Sequence, residues 1–205
     1  MRTVCDPLAM AEAARAFFLA FYAIALLILA FKTVQMLSAR PPAERQASGA
    51  QRFLPAILIP LQFAVPVLAI LFRIGELHAD WPLVRACGLA LGVYAAGIQL
   101  WASATLGRFL VPRAVVFSDH TLVTAGPYRL VRHPIYSGNV ALLLGSALGT
   151  LNVLILALCP IVAFGMIAEA QIEEGLLEAK FGAEYREYAR RTGRLVPRLA
   201  TLGRP

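Results

Sequence analysis

The chain has 205 residues, of which 59% are hydrophobic and 15% are charged, against about 45–50% and about 25% in average soluble domains. A soluble domain of this size cannot bury so much apolar side chain, because small domains leave a large share of their surface in water. The mean hydropathy of +0.69 agrees with this. The composition therefore predicts an integral membrane protein and excludes a disordered chain, a coiled coil and a disulfide scaffold.

The formal charge is +7, from 19 basic and 12 acidic residues. In a membrane protein such an excess is typical of the residues that flank the spans and of contact with anionic membrane lipids. We therefore expect membrane lipids as partners and no nucleic acid. The three cysteines stand singly, without the spacing of a disulfide framework or a zinc site, so we expect no metal.

Three apolar segments in the first half are long enough for the roughly 20 residues that a membrane-spanning helix needs. They run over residues 16–37, 53–72 and 86–107. In the third segment, Gly88, Gly92 and Ala96 recur every four residues. This spacing predicts a face of small residues where another helix can approach closely.

The last apolar segment is too long for one span. Pro134 to Ala168 contains no charged residue, and a single helix of these 35 residues would be about 52 Å long, against a hydrocarbon core of about 30 Å. The sequence Gly-Thr-Leu-Asn at 149–152, near its middle, is typical of a turn. We therefore predict a helical hairpin, with a short fourth helix and a fifth helix that leaves the bilayer towards Leu177.

These five spans divide the basic residues unequally between the two sides of the membrane. Fifteen of the 19 fall on the side of the segment before the hairpin and of the C-terminal tail, which the positive-inside rule assigns to the cytoplasm. In the tail, Phe181, Tyr185 and Tyr188 at helical spacing predict a helix that packs on a cytoplasmic cap or lies at the interface. The predicted fold class is all-α, an integral membrane helical bundle of about five transmembrane helices, including the C-terminal hairpin, with a small cytoplasmic cap.

Two polar segments, 120–136 and 169–178, flank the predicted hairpin. A hairpin returns its two ends to the same side, so both segments should meet at the cytoplasmic interface. On a helix, Glu169 and Glu173 lie one turn apart, with Glu174 beside them. Ionisable residues at a membrane helix end, facing a basic and aromatic loop, form a candidate functional site. The alternative is a network of ion pairs at the membrane edge. Other kinds of site are not supported, because the segments lack the spacing of metal ligands and the motifs of a phosphate-binding loop or a nucleophile elbow.

The polar segments carry several motifs in a fixed order. The first is L-V-T-x-G-P-Y-x-x-x-R-H-P-x-Y-x-G, from Leu122 to Gly138. It is followed by E-E-x-x-L at 173–177, F-G-x-x-Y-x-x-Y at 181–188 and T-G-R-L-V-P at 192–197. Together they resemble the isoprenylcysteine carboxyl methyltransferase family, and phospholipid methyltransferases share part of the pattern. The resemblance covers residues 107–197.

The resemblance implies an integral membrane enzyme that uses S-adenosylmethionine without a soluble nucleotide-binding domain. We accordingly divide the chain into an N-terminal three-helix membrane region, 1–107, and a methyltransferase core, 108–205, with the cofactor bound at the cytoplasmic cap. The implied cofactor contacts are His120, Thr121, Leu122, Val123, Tyr128, His133, Pro134, Ile135, Tyr136 and Glu174. Aromatic faces and carboxylates suit a sulfonium cation, and Arg132, His133 or backbone N–H groups can bind its carboxylate.

The resemblance also implies an acceptor that is a lipid or a lipidated small molecule. We expect its chain to enter from the bilayer between the third, fourth and fifth helices. Gly145 and Gly149, or the small face of the third span, would line this opening.

One position departs from the family. Prenylcysteine enzymes of this type carry an arginine four residues before the second glutamate, to bind the substrate carboxylate, and here that residue is Ala170, so Arg129 or Arg132 would have to replace it. A phospholipid amine, a small thiol or an isoprenoid acceptor is therefore an alternative to prenylcysteine, and for an amine or a thiol Glu173 is the predicted base. The predicted catalytic residues are Arg132 and Glu173. A non-catalytic scaffold or transporter subunit is the alternative of another class.

Overall fold

The computed structural model describes residues 7–39, 43–46, 54–107, 115–117 and 121–198. Within them the elements are α1 (Pro7–Ala39), β1 (Ala43–Gln46), α2 (Leu54–Leu71), α3 (Pro82–Leu106), β2 (Val115–Phe117), α4 (Pro134–Thr150), α5 (Val153–Phe181) and α6 (Ala183–Arg191). The two strands pair in an antiparallel sheet that joins the α1–α2 connection to the segment after α3. The predicted helical membrane bundle is confirmed, and this small sheet is an addition that the sequence analysis did not predict.

Four of the described helices, α1, α2, α3 and α5, are long and apolar enough to cross a membrane. Large apolar side chains such as Leu27, Phe31 and Phe164 are exposed on them, as helices in contact with lipid require. Helix α4 has 17 residues, a length of about 26 Å, slightly short of the hydrocarbon core of about 30 Å. This agrees with the prediction of about five membrane helices of which the fourth is short.

Helix α3 packs directly against α4 through glycines. A methyl group added to Gly88 would collide with the backbone nitrogen of Gly149, and one added to Gly145 would lie 2.9 Å from the carbonyl oxygen of Gly88. Without side chains the two backbones come into close contact, which stabilises helix pairs in lipid. The small face predicted for the third span is thus confirmed. Gly145 and Gly149 make this helix contact and do not line the cavity described below, whereas Ala96 of the small face does line it.

The turn between α4 and α5 forms at the predicted residues. Leu151 adopts the left-handed conformation that ends α4, with φ 53° and ψ 47°. Asn152 caps α5, because its side-chain oxygen accepts a hydrogen bond from the Ile155 N–H at 3.0 Å. Buried Arg85 of α3 donates to the carbonyl of Gly149 at 3.0 Å and so ties the third helix to the turn. The predicted hairpin is confirmed.

A cluster of buried side chains from all five long helices, α1 to α5, fills the centre of the bundle. Phe18, Tyr22, Leu142 and Ile155 are fully buried in it. The Tyr22 hydroxyl lies 3.1 Å from Ser146 Oγ, which gives this buried phenol a polar partner. In lipid, such close packing and interhelical hydrogen bonds hold helices together, because the bilayer itself is apolar.

A cap forms where the chain after α6 returns to the loop before α4. The backbone N–H groups of Arg132 and His133 donate to the carbonyls of Gly193 and Arg194, at 2.8 Å and 3.0 Å. The Gly193 N–H donates back to Leu130 at 3.3 Å. These three bonds fix the loop before α4 against the end of the tail, and both lie beside the last turns of α5.

Candidate active site

The loop before α4 presents His133 at the N-terminal end of that helix. Pro134 is the first helical residue, a position where its missing N–H costs no hydrogen bond. The residue before a proline is kept out of the helical conformation, and His133 has φ −126° and ψ 64°. Its imidazole stacks on the ring of Tyr136, with centroids 5.4 Å apart and planes 3° from parallel. The local sequence thus holds the imidazole in one orientation.

Both nitrogens of this imidazole face carboxylates of α5. His133 Nδ1 lies 3.3 Å from Glu173 Oε2, and Nε2 lies 3.3 Å from Glu174 Oε1. Burial lowers the pKa of His133, but contacts with the two carboxylates outweigh burial, so the net shift of the pKa is upward and the protonated form is favoured. The Tyr136 hydroxyl donates to Glu173 Oε1 at 2.7 Å. The two polar segments that flank the hairpin therefore meet, as the sequence predicted.

Glu174 of α5 links the loop before α4 to the tail after α6. Its Oε1 accepts from Arg132 Nε at 2.8 Å and its Oε2 accepts from Arg194 Nη2 at 2.7 Å. Arg132 also donates to the backbone carbonyls of Ala189 at 2.9 Å and Thr192 at 2.5 Å. The ion-pair network that the sequence analysis gave as an alternative is therefore present, next to the candidate site and in addition to it.

A cavity of about 870 Å³ lies beside His133 and Glu173, within the range of about 300–1,000 Å³ for ligand pockets. One wall, called here the polar wall, consists of Tyr128, His133, Tyr136, Glu173, Tyr185 and Tyr188. The opposite wall, called here the apolar wall, consists of side chains of α1 and α2 from Phe21 to Leu29 and from Pro55 to Phe63. The cavity thus joins the cap to the membrane interior.

The mouth of the cavity lies between α1 and α3. Ile24 and Ile28 of α1 and Leu100 of α3 line the cavity and are also 58%, 46% and 65% exposed on the outside of the bundle. The sequence predicts an entry between the third, fourth and fifth helices. Residues of these helices, such as Gln99, Asn139 and Met166, also line the cavity, so this entry stays a prediction.

Most residues predicted for the site line the cavity: Leu122, Val123, Tyr128, Arg132, His133, Pro134, Ile135, Tyr136 and Glu173. Glu174 lies behind His133 and does not line it, and Thr121 is exposed outside it. His120 lies outside the described residues. Ala170 is fully buried away from the cavity, whereas Glu169 lines it, so position 170 does not present a side chain to a ligand.

The lining residues that were not predicted for the site include three polar side chains and two tyrosines: Gln62, Gln99, Asn139, Tyr185 and Tyr188. The first three are polar side chains within apolar spans, which is a signal for a site that the sequence does contain. The two tyrosines were predicted only as packing residues of the tail helix. Burial raises the pKa of Tyr188 to about 12 and also raises the pKa of Tyr185, so both phenols are neutral and can face a cation.

Comparisons with known proteins agree with this arrangement. A family model described as phospholipid methyltransferase matches residues 83–184. The cobalt-zinc-cadmium resistance protein CzcN of Cupriavidus metallidurans is 33% identical over 161 residues, which are 75% of this chain and 71% of that protein. A probable protein-S-isoprenylcysteine O-methyltransferase of Oryza sativa subsp. japonica is 33% identical over 125 residues, which are 60% of this chain and 65% of that protein.

Protein-S-isoprenylcysteine O-methyltransferase B of Arabidopsis thaliana is 29% identical over 154 residues, which are 70% of this chain and 78% of that protein. The family match spans α3, α4 and α5 and therefore contains the loop with His133 and the carboxylates that face it. The chain belongs to the phospholipid methyltransferase family, is an integral membrane methyltransferase and resembles the protein-S-isoprenylcysteine O-methyltransferases.

Proposed function

We propose that the protein transfers a methyl group from S-adenosylmethionine to a lipid or lipidated acceptor, at an active site on the cytoplasmic side of the membrane. The observation that carries this proposal is the single cavity with a polar wall at the cap and an apolar wall that reaches lipid between α1 and α3. The cytoplasmic side follows from the basic residues, fifteen of 19 of which flank the spans on the side of the cap.

The polar wall fits S-adenosylmethionine, which when bound supplies a methyl group on a positively charged sulfur. The phenol rings of Tyr128 and Tyr188 and the carboxylate of Glu173 suit its cationic groups. Protonated His133 suits its carboxylate. One buried polar atom of this wall, the Tyr185 hydroxyl, has no hydrogen-bond partner among the described residues, and a bound ligand would satisfy it.

The chain's own residues align the reactants and exclude water. If S-adenosylmethionine is bound at the polar wall, it would supply the methyl group, and these residues would have to hold donor and acceptor in line. The bond from Tyr136 fixes Glu173, and the stacked ring of His133 fixes the loop opposite it. The Glu174 network closes the cap behind them, which keeps water from the polar wall.

Calorimetry on the full chain in detergent tests donor binding. We expect heat with S-adenosylmethionine and with its demethylated product, and loss of that heat in His133→Ala. The matched control is His78→Ala, since His78 is exposed in the α2–α3 connection, away from the cavity. Absence of heat with both ligands for the unchanged protein, or normal binding by His133→Ala, would contradict the proposal.

Product analysis tests methyl transfer itself. The purified protein is incubated with native membrane extract and a methyl donor labelled in its methyl group, and the lipid fraction is analysed by mass spectrometry. A base-labile methyl ester indicates a carboxylate acceptor, and label in a base-stable headgroup indicates an amine. If the protein binds the donor but no label enters any membrane component, a non-catalytic scaffold or transporter subunit is the correct interpretation.

A further inference from the structure

The cap carries a second concave surface, a groove of about 560 Å³, which we call the basic groove. Its charged lining consists of four arginines and one glutamate: Arg132, Arg186, Arg190, Arg198 and Glu178. Among the described residues, the groove shares with the cavity only Arg132. The Arg132 side chain is 8% exposed and is paired with Glu174, so it separates the two spaces. The basic groove is therefore a surface distinct from the polar wall.

The positive charge of the basic groove is only partly compensated within the described part of the protein. Arg186 lies 3.3 Å from Glu178, but both side chains are about half exposed, at 59% and 49%, and such a pair is weak in water. Arg190 pairs with Glu187, which does not line the groove and also pairs with Arg191. The lining arginines of α6 and the tail thus face one carboxylate across the groove, so the groove attracts anions.

The tail places this groove next to the membrane. The Ser137 hydroxyl, in the first turn of α4, donates to the carbonyl of Leu195 at 2.5 Å, and Leu195 packs against the buried cluster of the bundle. Val196, the next residue, is 75% exposed. Two residues later, Arg198 donates to the carbonyl of Arg190 at 2.5 Å, which joins the tail to α6. An exposed apolar side chain beside the first turn of a membrane helix, with arginines next to it, is typical of a segment at the lipid interface.

We propose that the basic groove binds the headgroup phosphate of an anionic membrane phospholipid, whose acyl chains lie in the bilayer beside Val196. Arginine suits this group, because the planar guanidinium donates two parallel hydrogen bonds to phosphate oxygens. Arg186 and Arg190 of α6 and Arg198 of the tail would contact the phosphate. The lipid would then bridge α6 and the tail and hold the cap on the membrane. This inference does not depend on methyl transfer.

The net charge of the headgroup should decide which lipid binds. Phosphatidylcholine also carries a phosphate, but it brings its own cation close to the arginines. Phosphatidylglycerol has no such cation, so its attraction to the groove is not opposed. A soluble anion has no acyl chains and would gain nothing from the lipid beside Val196. The groove should therefore prefer an anionic lipid both to a zwitterionic lipid and to a soluble headgroup.

Binding of lipids to the delipidated full chain in detergent tests the proposal, with dissociation constants measured by native mass spectrometry. The probes are phosphatidylglycerol and phosphatidylcholine with the same acyl chains. We expect phosphatidylglycerol to bind more tightly. Arg190→Gln should weaken its binding about fivefold, the contribution of one arginine near an anionic lipid, and the double variant with Arg186→Gln should weaken it about 25-fold. Phosphatidylcholine should lose less.

Arg191→Gln is the matched control. Arg191 also belongs to α6, is 68% exposed and pairs with Glu187, but it does not line the groove, so phosphatidylglycerol should bind this variant normally. Equal affinity of the unchanged protein for both lipids, or the same loss in Arg190→Gln and Arg191→Gln, would overturn the proposal. Displacement of phosphatidylglycerol by an equal concentration of its deacylated headgroup would also overturn it, because the site would then take a soluble anion. Arg190→Gln should bind S-adenosylmethionine normally, and a joint loss of lipid and donor would assign the groove to the donor site instead.

Discussion

Replacing Glu174 by glutamine should loosen the cap while leaving the membrane helices intact. The substitution keeps the shape of the side chain and removes its charge. The Glu174 carboxylate accepts from Arg132 at 2.8 Å and from Arg194 at 2.7 Å, and the side chain is 13% exposed. In the variant, the N–H₂ group of the glutamine would face the N–H donors of Arg132 and Arg194. These two arginines have no other acidic partner in the described part of the cap.

The magnitude follows from the burial of the two arginines. The Arg132 side chain is 8% exposed, and loss of one member of a buried ion pair costs about 3–5 kcal/mol. The Arg194 side chain is 35% exposed, and an exposed pair contributes about 0–1 kcal/mol. Since Arg132 keeps its two backbone acceptors, we take the lower limit and expect the cap to lose about 3 kcal/mol, which increases its opening by about 100-fold.

Hydrogen exchange measures this opening directly. The backbone N–H groups of Arg132 and His133 donate across the cap to Gly193 and Arg194, so their protection should fall by about 100-fold in Glu174→Gln. Amides in the middle of α4 should keep their protection. In Glu178→Gln, which breaks a half-exposed pair, the cap amides should exchange as in the unchanged protein. Unaltered protection in Glu174→Gln, or the same loss in both variants, would refute the role of Glu174 in closing the cap.

Three further predictions concern the bundle and the polar wall. Gly88→Ala should lower the free energy of unfolding by more than about 3 kcal/mol, because the added methyl group meets the backbone of α4. Its Tm in detergent should therefore fall. The control Gly97→Ala, at a position with open space around it, should leave Tm unchanged. Since the pKa of His133 is raised, its stabilising contribution is complete below the unfolded pKa of about 6.5 and is lost as pH rises through the higher folded value. His133→Gln should therefore flatten the fall of Tm with rising pH. A plot of Tm against pH that runs parallel to that of the unchanged protein would contradict this. Tyr136→Phe removes the donor to Glu173 and should weaken S-adenosylmethionine by about tenfold in calorimetry; an unchanged affinity would contradict the positioning of Glu173.

The hairpin and the meeting of the two polar segments could be predicted from length alone. The uncharged segment is too long for one membrane crossing and slightly short for two full crossings, so it has to turn within the membrane. The turn residues Leu151 and Asn152 lie where the sequence predicts them. Once the chain turns, both ends of the hairpin return to one side. His133 and the carboxylates of α5 therefore become neighbours as a consequence of topology, without any knowledge of packing.

The division of roles between Glu173 and Glu174 could not be predicted in this way. Adjacent residues on a helix point about 100° apart, so one faces the cavity and the other faces the cap, but the sequence does not specify the rotation of α5. The tail fixes the rotation of α5, because Arg194, which follows α6, forms an ion pair with Glu174. The family's arginine position falls on Ala170 by sequence spacing, and the structure places Ala170 away from the cavity and Glu169 at its lining.

The position of the cavity mouth could not be predicted from the sequence, for a different reason. Spans that are apolar on all sides have no polar face to show which side meets lipid and which meets a neighbouring helix. Glycines at 88 and 92 predict a close contact, but they do not name the partner. A methyl group added to Gly88 would meet Gly149 of α4, whereas one added to Gly92 would meet Phe17 and Phe18 of α1, so the two glycines face different helices.

The proposed function predicts that different parts of the chain bind the two reactants. The family match begins at residue 83 and contains the loop, α4 and α5, which form most of the polar wall, whereas the apolar wall comes from α1 and α2, which precede the match. Donor affinity should therefore depend on the matched part, and the choice of acceptor chain on the unmatched part. Leu58→Trp, which enlarges a buried residue of the apolar wall, should select against long acceptors while S-adenosylmethionine binds as before. If Leu58→Trp instead lowers donor affinity in calorimetry and leaves the acceptor profile unchanged, the two walls do not serve separate reactants.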